Sequence, residues 1–176
     1  MYIVDNELFD ETFIEMFDNY CTESVPWFYG RKSALNKDNL IWGSTLYEQG
    51  GPHNFFAEYI LAKFSKKYQM QFEMMSCVLN GQTKDQNTSW HVDLYSGDYD
   101  IDNKYTLVYY VNKVWNDPTG QTEIRLPDGD IAKINFESGK VVCFPSKYQH
   151  FGAPPSNDNV LRITCALKLN LLGRIE

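Results

Sequence analysis

From Met70 to its end the chain runs as short apolar stretches cut by turn signals, a pattern of strands that double back rather than of helices. The clearest unit is Gly139-Lys140-Val141-Val142-Cys143-Phe144-Pro145, which reads as a turn, a short buried strand and a stop. A loop with Pro154, Pro155, Asn157 and Asp158 follows, and then a further strand, Leu161-Arg162-Ile163-Thr164-Cys165-Ala166-Leu167. Runs of this kind predict two packed antiparallel sheets. Arg162 interrupts the apolar character of its strand, and an arginine there is costly unless an anion meets it.

The residues before Met70 read differently. Leu8, Phe9, Phe13, Met16, Phe17 and Tyr20 recur at helical spacing, with Asp5 as the expected N-cap. Residues 27–30 and 40–42 read as short strands around a polar loop, and a second helix is expected after Pro52, through Phe55, Tyr59, Ile60 and Phe64, ending near Lys67. The expected fold is mostly β with flanking helices: a double-stranded β-helix (jelly roll) of two antiparallel sheets over residues 70–170. Helices and strands from residues 1–69 would support one sheet. With 176 residues, 43% hydrophobic and 15% aromatic, the chain can bury one sizeable core and reads as a single domain, 1–176.

Within the β-rich part stands Trp90-His91-Val92-Asp93, and His150 and Arg162 come later in that order. Residues two apart on a strand point to the same side, so His91 and Asp93 can reach one ion. His150 adds a second imidazole from a distant strand. Two histidines and one carboxylate form the face that non-haem Fe(II) prefers, with positions left open for a bidentate oxo-acid and O2. Arg162 offers a planar, permanently charged fork for the far carboxylate of that oxo-acid. A His-x-Asp triplet alone arises often by chance; the combination with His150 and Arg162 is the specific signal.

From about Met70 to Leu169 the chain resembles the 2-oxoglutarate- and Fe(II)-dependent dioxygenase superfamily, and within it the prolyl 4-hydroxylase-like branch. Tyr109-Tyr110-Val111-Asn112-Lys113-Val114-Trp115, then Gly120 and Arg125-Leu126-Pro127, are similar in order and spacing to the hypoxia-sensing prolyl hydroxylases. The resemblance implies His91, Asp93 and His150 as iron ligands, Arg162 paired with the C5 carboxylate of 2-oxoglutarate, and Tyr110 hydrogen-bonded to the same carboxylate. Thr164, on the face of Arg162, joins them as a candidate co-substrate contact, and the small Ala166 leaves room beside it. The chain departs from the family pattern in two places. Cys77-Val78-Leu79-Asn80 offers no tyrosine where many prolyl hydroxylases have one near the metal, and Gly120-Gln121 replaces the usual Gly-Gly.

The activity so implied is hydroxylation of an unactivated C–H with O2, with succinate and CO2 as co-products and ascorbate as a candidate reductant for oxidised iron. Asp93 favours hydroxylation, since related halogenases carry a small residue at this place. The first substrate expectation is a prolyl residue in a peptide or protein, with residues 27–29 and the loop 31–39 as a candidate peptide groove. The runner-up is a free amino acid or other small metabolite. Two further readings stay open. One is a jelly-roll binding module in which Arg162 forms an internal salt bridge with a carboxylate such as Asp93. The other is a cupin-like metal or sugar-binding protein, which gives Arg162 no partner.

The remaining signals limit partners and place. The net charge of −7 argues against nucleic acid as substrate, and the cluster Lys63, Lys66 and Lys67 suits a solvated helix face. Cys21, Cys77, Cys143 and Cys165 contain no CxxC, and Cys77, Cys143 and Cys165, in apolar strand-like runs, read as reduced packing residues. The first twenty residues are acidic without Lys or Arg, unlike a secretion signal, and no apolar run is long enough to span a membrane. A cytoplasmic location is expected, and the compact acidic form resembles short oxygenases of microbes and their phages. His53 reads as solvated or capping, Trp90 and Trp115 as packing residues. The run Asp98, Asp100, Asp102 is expected to be a surface loop, because Asn103 and Tyr109 replace the Gly and Glu of a calcium loop.

Overall fold

The computed structural model describes residues 2–32, 40–93 and 101–175. Among them, a seven-stranded sheet has the order β1 (Ile3–Asp5), β8 (Val141–Pro145), β5 (Lys104–Tyr110), β10 (Arg162–Arg174), β4 (Met70–Gln82), β3 (Leu40–Glu48) and β2 (Phe28–Lys32). A three-stranded sheet has the order β7 (Ile131–Ile134), β6 (Thr122–Arg125), β9 (His150–Gly152). Every pairing is antiparallel. The two antiparallel sheets of the expected jelly roll are therefore present.

Two helices, α1 (Glu11–Asn19) and α2 (Phe55–Tyr68), cover one face of the larger sheet. Phe13 and Phe17 of α1 and Ala57, Ile60 and Phe64 of α2 pack on Cys77, Leu79, Leu107, Tyr109, Cys165 and Leu167. Burial of a large apolar side chain contributes roughly 1.5–3 kcal/mol, so this face anchors the helices. Asn54 caps α2 by accepting from the Ala57 amide at 3.2 Å. The cap of α1 is Asp10, whose carboxylate accepts from the Phe13 amide at 2.9 Å. Asp5, the cap expected from sequence, instead ends β1, an edge strand paired with β8. Its carboxylate is held by Lys67 at 2.6 Å and the Tyr68 hydroxyl at 2.7 Å. The chain must leave this sheet edge before a helix can begin, which delays α1 past Leu8 and Phe9.

Strict alternation sorts the central strands into two faces. Along β5, Leu107 and Tyr109 enter the helix-covered core, while Val108 and Tyr110 join a second cluster with Ile124, Ile134, Phe136, Val142 and Phe144 between the sheets. Along β10, Ile163, Cys165 and Leu167 face the helices, and Arg162, Thr164, Ala166 and Lys168 face a cavity at the other side. All four cysteines are free and buried, and Cys77 and Cys165 bring their Sγ atoms within 3.2 Å. Among the described residues no helix is long and apolar enough to cross a membrane.

Candidate active site

His91, Asp93 and His150 meet at the open end between the sheets. Their donor atoms lie within 4.8 Å of one another. His150 begins β9, and His91 joins it through an isolated antiparallel bridge. Residues 91–93 thus form an extended segment with one bridge rather than the strand expected from sequence, yet His91 and Asp93 still project to one side. Asp93 is fixed by its amide, which donates to the Ser146 carbonyl at 3.0 Å.

The imidazoles are oriented by their second nitrogens. His91 Nδ1 lies 2.8 Å from the Ser89 carbonyl and His150 Nδ1 lies 3.0 Å from the Tyr148 carbonyl. A carbonyl only accepts, so each ring carries its proton on Nδ1 and leaves a lone pair on Nε2. Burial pushes both pKa values down to about 4, with His150 adding to the effect on His91, so both rings are neutral near pH 7. The Nε2 atoms face Asp93, at 3.8 Å from Oδ1 for His91 and 3.3 Å from Oδ2 for His150. Among the described residues no N–H or O–H group is directed at either Nε2. Two lone pairs and a carboxylate converging in this way suit a divalent cation of the kind bound by imidazole and carboxylate.

Asp93 has two further partners. The Thr106 hydroxyl donates to its Oδ2 at 2.8 Å and touches Ser146 Oγ at 2.9 Å. The Lys168 ammonium also donates to Oδ2. Burial, and then the Arg31 cation, push the pKa of Lys168 down; Asp93 is the anion that answers its charge.

Arg162 is 2% exposed and has no carboxylate partner among the described residues. Its Nε donates to the Gly120 carbonyl at 2.7 Å, one terminal nitrogen to Gln82 Oε1 at 2.8 Å, and the other to Thr122 Oγ1 at 3.3 Å. Both terminal nitrogens keep an N–H that can point into the cavity they line. Burial lowers the pKa to about 10, which leaves the group charged at neutral pH. A buried cation held only by neutral groups is expensive, and a carboxylate in the cavity would offset that cost. The internal pair with Asp93 that a non-enzymatic module would require is not formed; Lys168 takes that place.

The cavity holds about 180 Å³, and His91, Asp93, His150, Arg162 and Thr164 all line it. Tyr110 does not. Its ring stacks on Phe136 at 4.7 Å and lies 5.8 Å beneath the Arg162 guanidinium, with its hydroxyl beside Thr122. It therefore buttresses the arginine, one step from the cavity. His53 is exposed and paired with Glu58, as its solvated reading requires. Trp90 packs edge-on against Phe151, and Trp115 stacks on Phe136. Of the acidic run, Asp102 is exposed and pairs with Lys147 at 2.5 Å, whereas Asp98 and Asp100 lie outside the described residues.

Sequence reasoning missed Lys168, Thr106 and Gln82, all cavity residues, and put Arg31 in the candidate peptide loop 31–39, whereas Arg31 and Lys32 end β2 and line the cavity; residues 33–39 lie outside the described residues. Lys168 was within reach, since it continues the two-residue alternation of Arg162, Thr164 and Ala166. Gln82 lies directly across from Arg162 in the β10–β4 register, a pairing that only the fold discloses.

The profile described as the 2OG-Fe(II) oxygenase superfamily matches residues 72–167. No curated protein sequence matches the chain significantly. Among solved structures, an oxidoreductase of the 2OG-Fe(II) oxygenase family from Burkholderia pseudomallei is similar over 99% of this chain and 87% of its own, at 13% identity and a TM-score of 0.72. A prolyl hydroxylase from Trichoplax adhaerens, solved with a peptide fragment of a hypoxia inducible factor, matches over 96% and 83% at 16% identity and a TM-score of 0.69. HygX from Streptomyces hygroscopicus, solved with nickel, 2-oxoglutarate and hygromycin B, matches over 96% and 82% at 12% identity and a TM-score of 0.67.

Proposed function

Because this chain belongs to the 2OG-Fe(II) oxygenase superfamily, whose members use Fe(II) and 2-oxoglutarate, we propose that it is a dioxygenase that hydroxylates an unactivated C–H. The observation that carries the reading is the pairing of a three-donor cluster with a buried arginine that lacks a carboxylate partner. His91, Asp93 and His150 would hold the iron, and Arg162, with Thr164 beside it, the C5 carboxylate of 2-oxoglutarate. Tyr110 would act through the arginine it supports. We read residues 1–176 as one catalytic domain.

Iron and 2-oxoglutarate bound there supply an oxidant that inserts one oxygen of O2 into a C–H, while the other enters succinate and CO2 is released. The protein's own residues orient and exclude. The Nδ1–carbonyl bonds fix each imidazole, Thr106 and the Ser146 carbonyl fix Asp93, and Ile41, Val78 and Val108 give the cavity an apolar wall.

The favoured substrate is a prolyl residue in a peptide or protein. It is supported by the sequence resemblance and by an open groove along β2, where Phe28 and Tyr29 are exposed at the sheet edge. A small metabolite or free amino acid is the second reading, favoured by the cationic wall of the cavity. Incubation with Fe(II), 2-oxoglutarate and proline-rich peptides should give succinate and a product heavier by one oxygen atom. Succinate formation stimulated only by small molecules would transfer the assignment to the second reading, and none under any condition would refute both.

A further inference from the structure

We propose that Gln82 is a positioning residue that fixes the separation between the metal donors and Arg162, and with it the chain length of the oxo-diacid that the cavity accepts. This rests on the oxygenase reading above, in which one small molecule reaches from the donor cluster to the arginine.

The two ends of such a molecule are held by different sheets. Arg162 opens β10 in the seven-stranded sheet, and His150 opens β9 in the three-stranded sheet. Their separation therefore depends on how the sheets are joined beside the cavity. The joint is one rung set against another. Arg162 and Gln82 face each other in the β10–β4 register, and Thr122 and Gly152 face each other in the β6–β9 register. Between the rungs, the Arg162 guanidinium donates to Thr122 Oγ1 at 3.3 Å, and Gln82 Nε2 donates to the Gly152 carbonyl at 3.1 Å. Gly152 lies two residues beyond His150, roughly 7 Å along β9 at about 3.3 Å per residue. A strand, not a loop, thus carries the spacing from the joint to the metal donor.

Gln82 serves this joint with both arms. Its Oε1 accepts from a terminal nitrogen of Arg162 at 2.8 Å, and its Nε2 has a second acceptor in the Gln86 carbonyl at 3.2 Å. A donor meets the oxygen and carbonyls meet the nitrogen, so a flipped amide would lose all of these bonds. The amide is also neutral, and it holds the guanidinium without cancelling the charge that a co-substrate carboxylate needs. Gly152 permits the close approach: a Cβ there would stand 3.1 and 3.2 Å from the terminal nitrogens of Arg162 and 3.2 Å from Gln82 Oε1. The Thr88 hydroxyl donates to the same Gly152 carbonyl at 2.8 Å, which ties the segment leading to His91 into the joint.

The test compares oxaloacetate, 2-oxoglutarate and 2-oxoadipate, each longer than the last by one methylene, binding to protein loaded with Mn(II) and kept without O2. Calorimetry reads the three affinities. A fixed span should favour 2-oxoglutarate over its neighbours by about 10- to 200-fold. Gln82→Met keeps the bulk of the side chain and removes both arms, and the preference should shrink by about tenfold. A residue that only lent stability would weaken all three acids alike and leave their ratios intact. Should Gln82→Met fail to fold, Thr88→Val decides: it removes the other side-chain bond to the Gly152 carbonyl, leaves the contacts of Arg162 in place and should blunt the preference in the same direction. Wild-type protein that binds the three acids without preferring 2-oxoglutarate, or a preference undiminished in the variant that decides, would overturn the proposal. Wild-type protein that takes up no Mn(II), or Mn(II) and none of the three acids, would remove the oxygenase reading itself.

Discussion

The backbones of His91 and His150 are joined in both directions: the His91 amide donates to the His150 carbonyl at 3.0 Å, and the His150 amide to the His91 carbonyl at 2.9 Å. Residues far apart in sequence therefore share one rigid rung, with ring centroids 4.4 Å apart. Neither backbone can shift without the other, and the separate Nδ1 bonds to the Ser89 and Tyr148 carbonyls then orient each ring.

Thr106 orients the third donor, Asp93, through a 2.8 Å bond. Thr106→Val keeps the shape and removes the hydroxyl. Metal affinity should fall about 10- to 100-fold, as for other groups that orient a ligand, while stability falls by only about 1 kcal/mol. Competitive metal titration beside thermal melting separates the two effects, and unaltered metal affinity would show that Thr106 does not position Asp93.

Gly120 presents its carbonyl to Arg162 Nε from a φ of +88°, and a Cβ there would lie 2.5 Å from the Trp115 ring. Gly120→Ala should cost about 1–3 kcal/mol in backbone strain and weaken 2-oxoglutarate binding through the displaced arginine. Calorimetry reads both; a variant with wild-type melting and wild-type affinity would contradict this role.

Asp117 clasps the loop before β10. Burial pushes its carboxyl pKa up, but hydrogen bonds from Thr119, Ser156 and Asn157 outweigh this and hold it well below the usual range. A depressed folded-state pKa stabilises above the unfolded value and is lost as pH falls through it, below about 4. Asp117→Asn should melt earlier at neutral pH, and the gap to wild type should narrow in acid. A gap independent of pH would assign the loss to packing.

What the sequence disclosed follows from the range of the forces involved. Period-two alternation is local, so the opposite faces of Tyr109 and Tyr110 were readable, as was the shared face of Arg162, Thr164 and Ala166. The order of His91, Asp93, His150 and Arg162 survived because a metal site requires those residue types whatever lies between them. Asp5 was misread because a cap is decided by where the chain leaves its preceding strand, and the pairing of β1 with β8 is a long-range event. Arg31 was read as the start of a groove-forming loop rather than as a strand residue for a similar reason: its pairing with Ile41 follows a register shift at Gly30 that only the fold discloses. Lys168 continues the same alternation, but its contact with Asp93 joins residues far apart in sequence and only the fold discloses it.

The central claim is that Arg162 and the three-donor cluster serve one co-substrate. Anaerobic titration with Fe(II) and 2-oxoglutarate, following the visible charge-transfer band of the chelate, tests it in wild type and in Arg162→Ala. The account expects the band in wild type and its loss in the variant at equal 2-oxoglutarate concentration, with iron still bound. Removal of the charge-assisted pair should weaken 2-oxoglutarate by about 2–5 kcal/mol. Iron binding with no band in wild type, or a band of equal strength and affinity in Arg162→Ala, would contradict it.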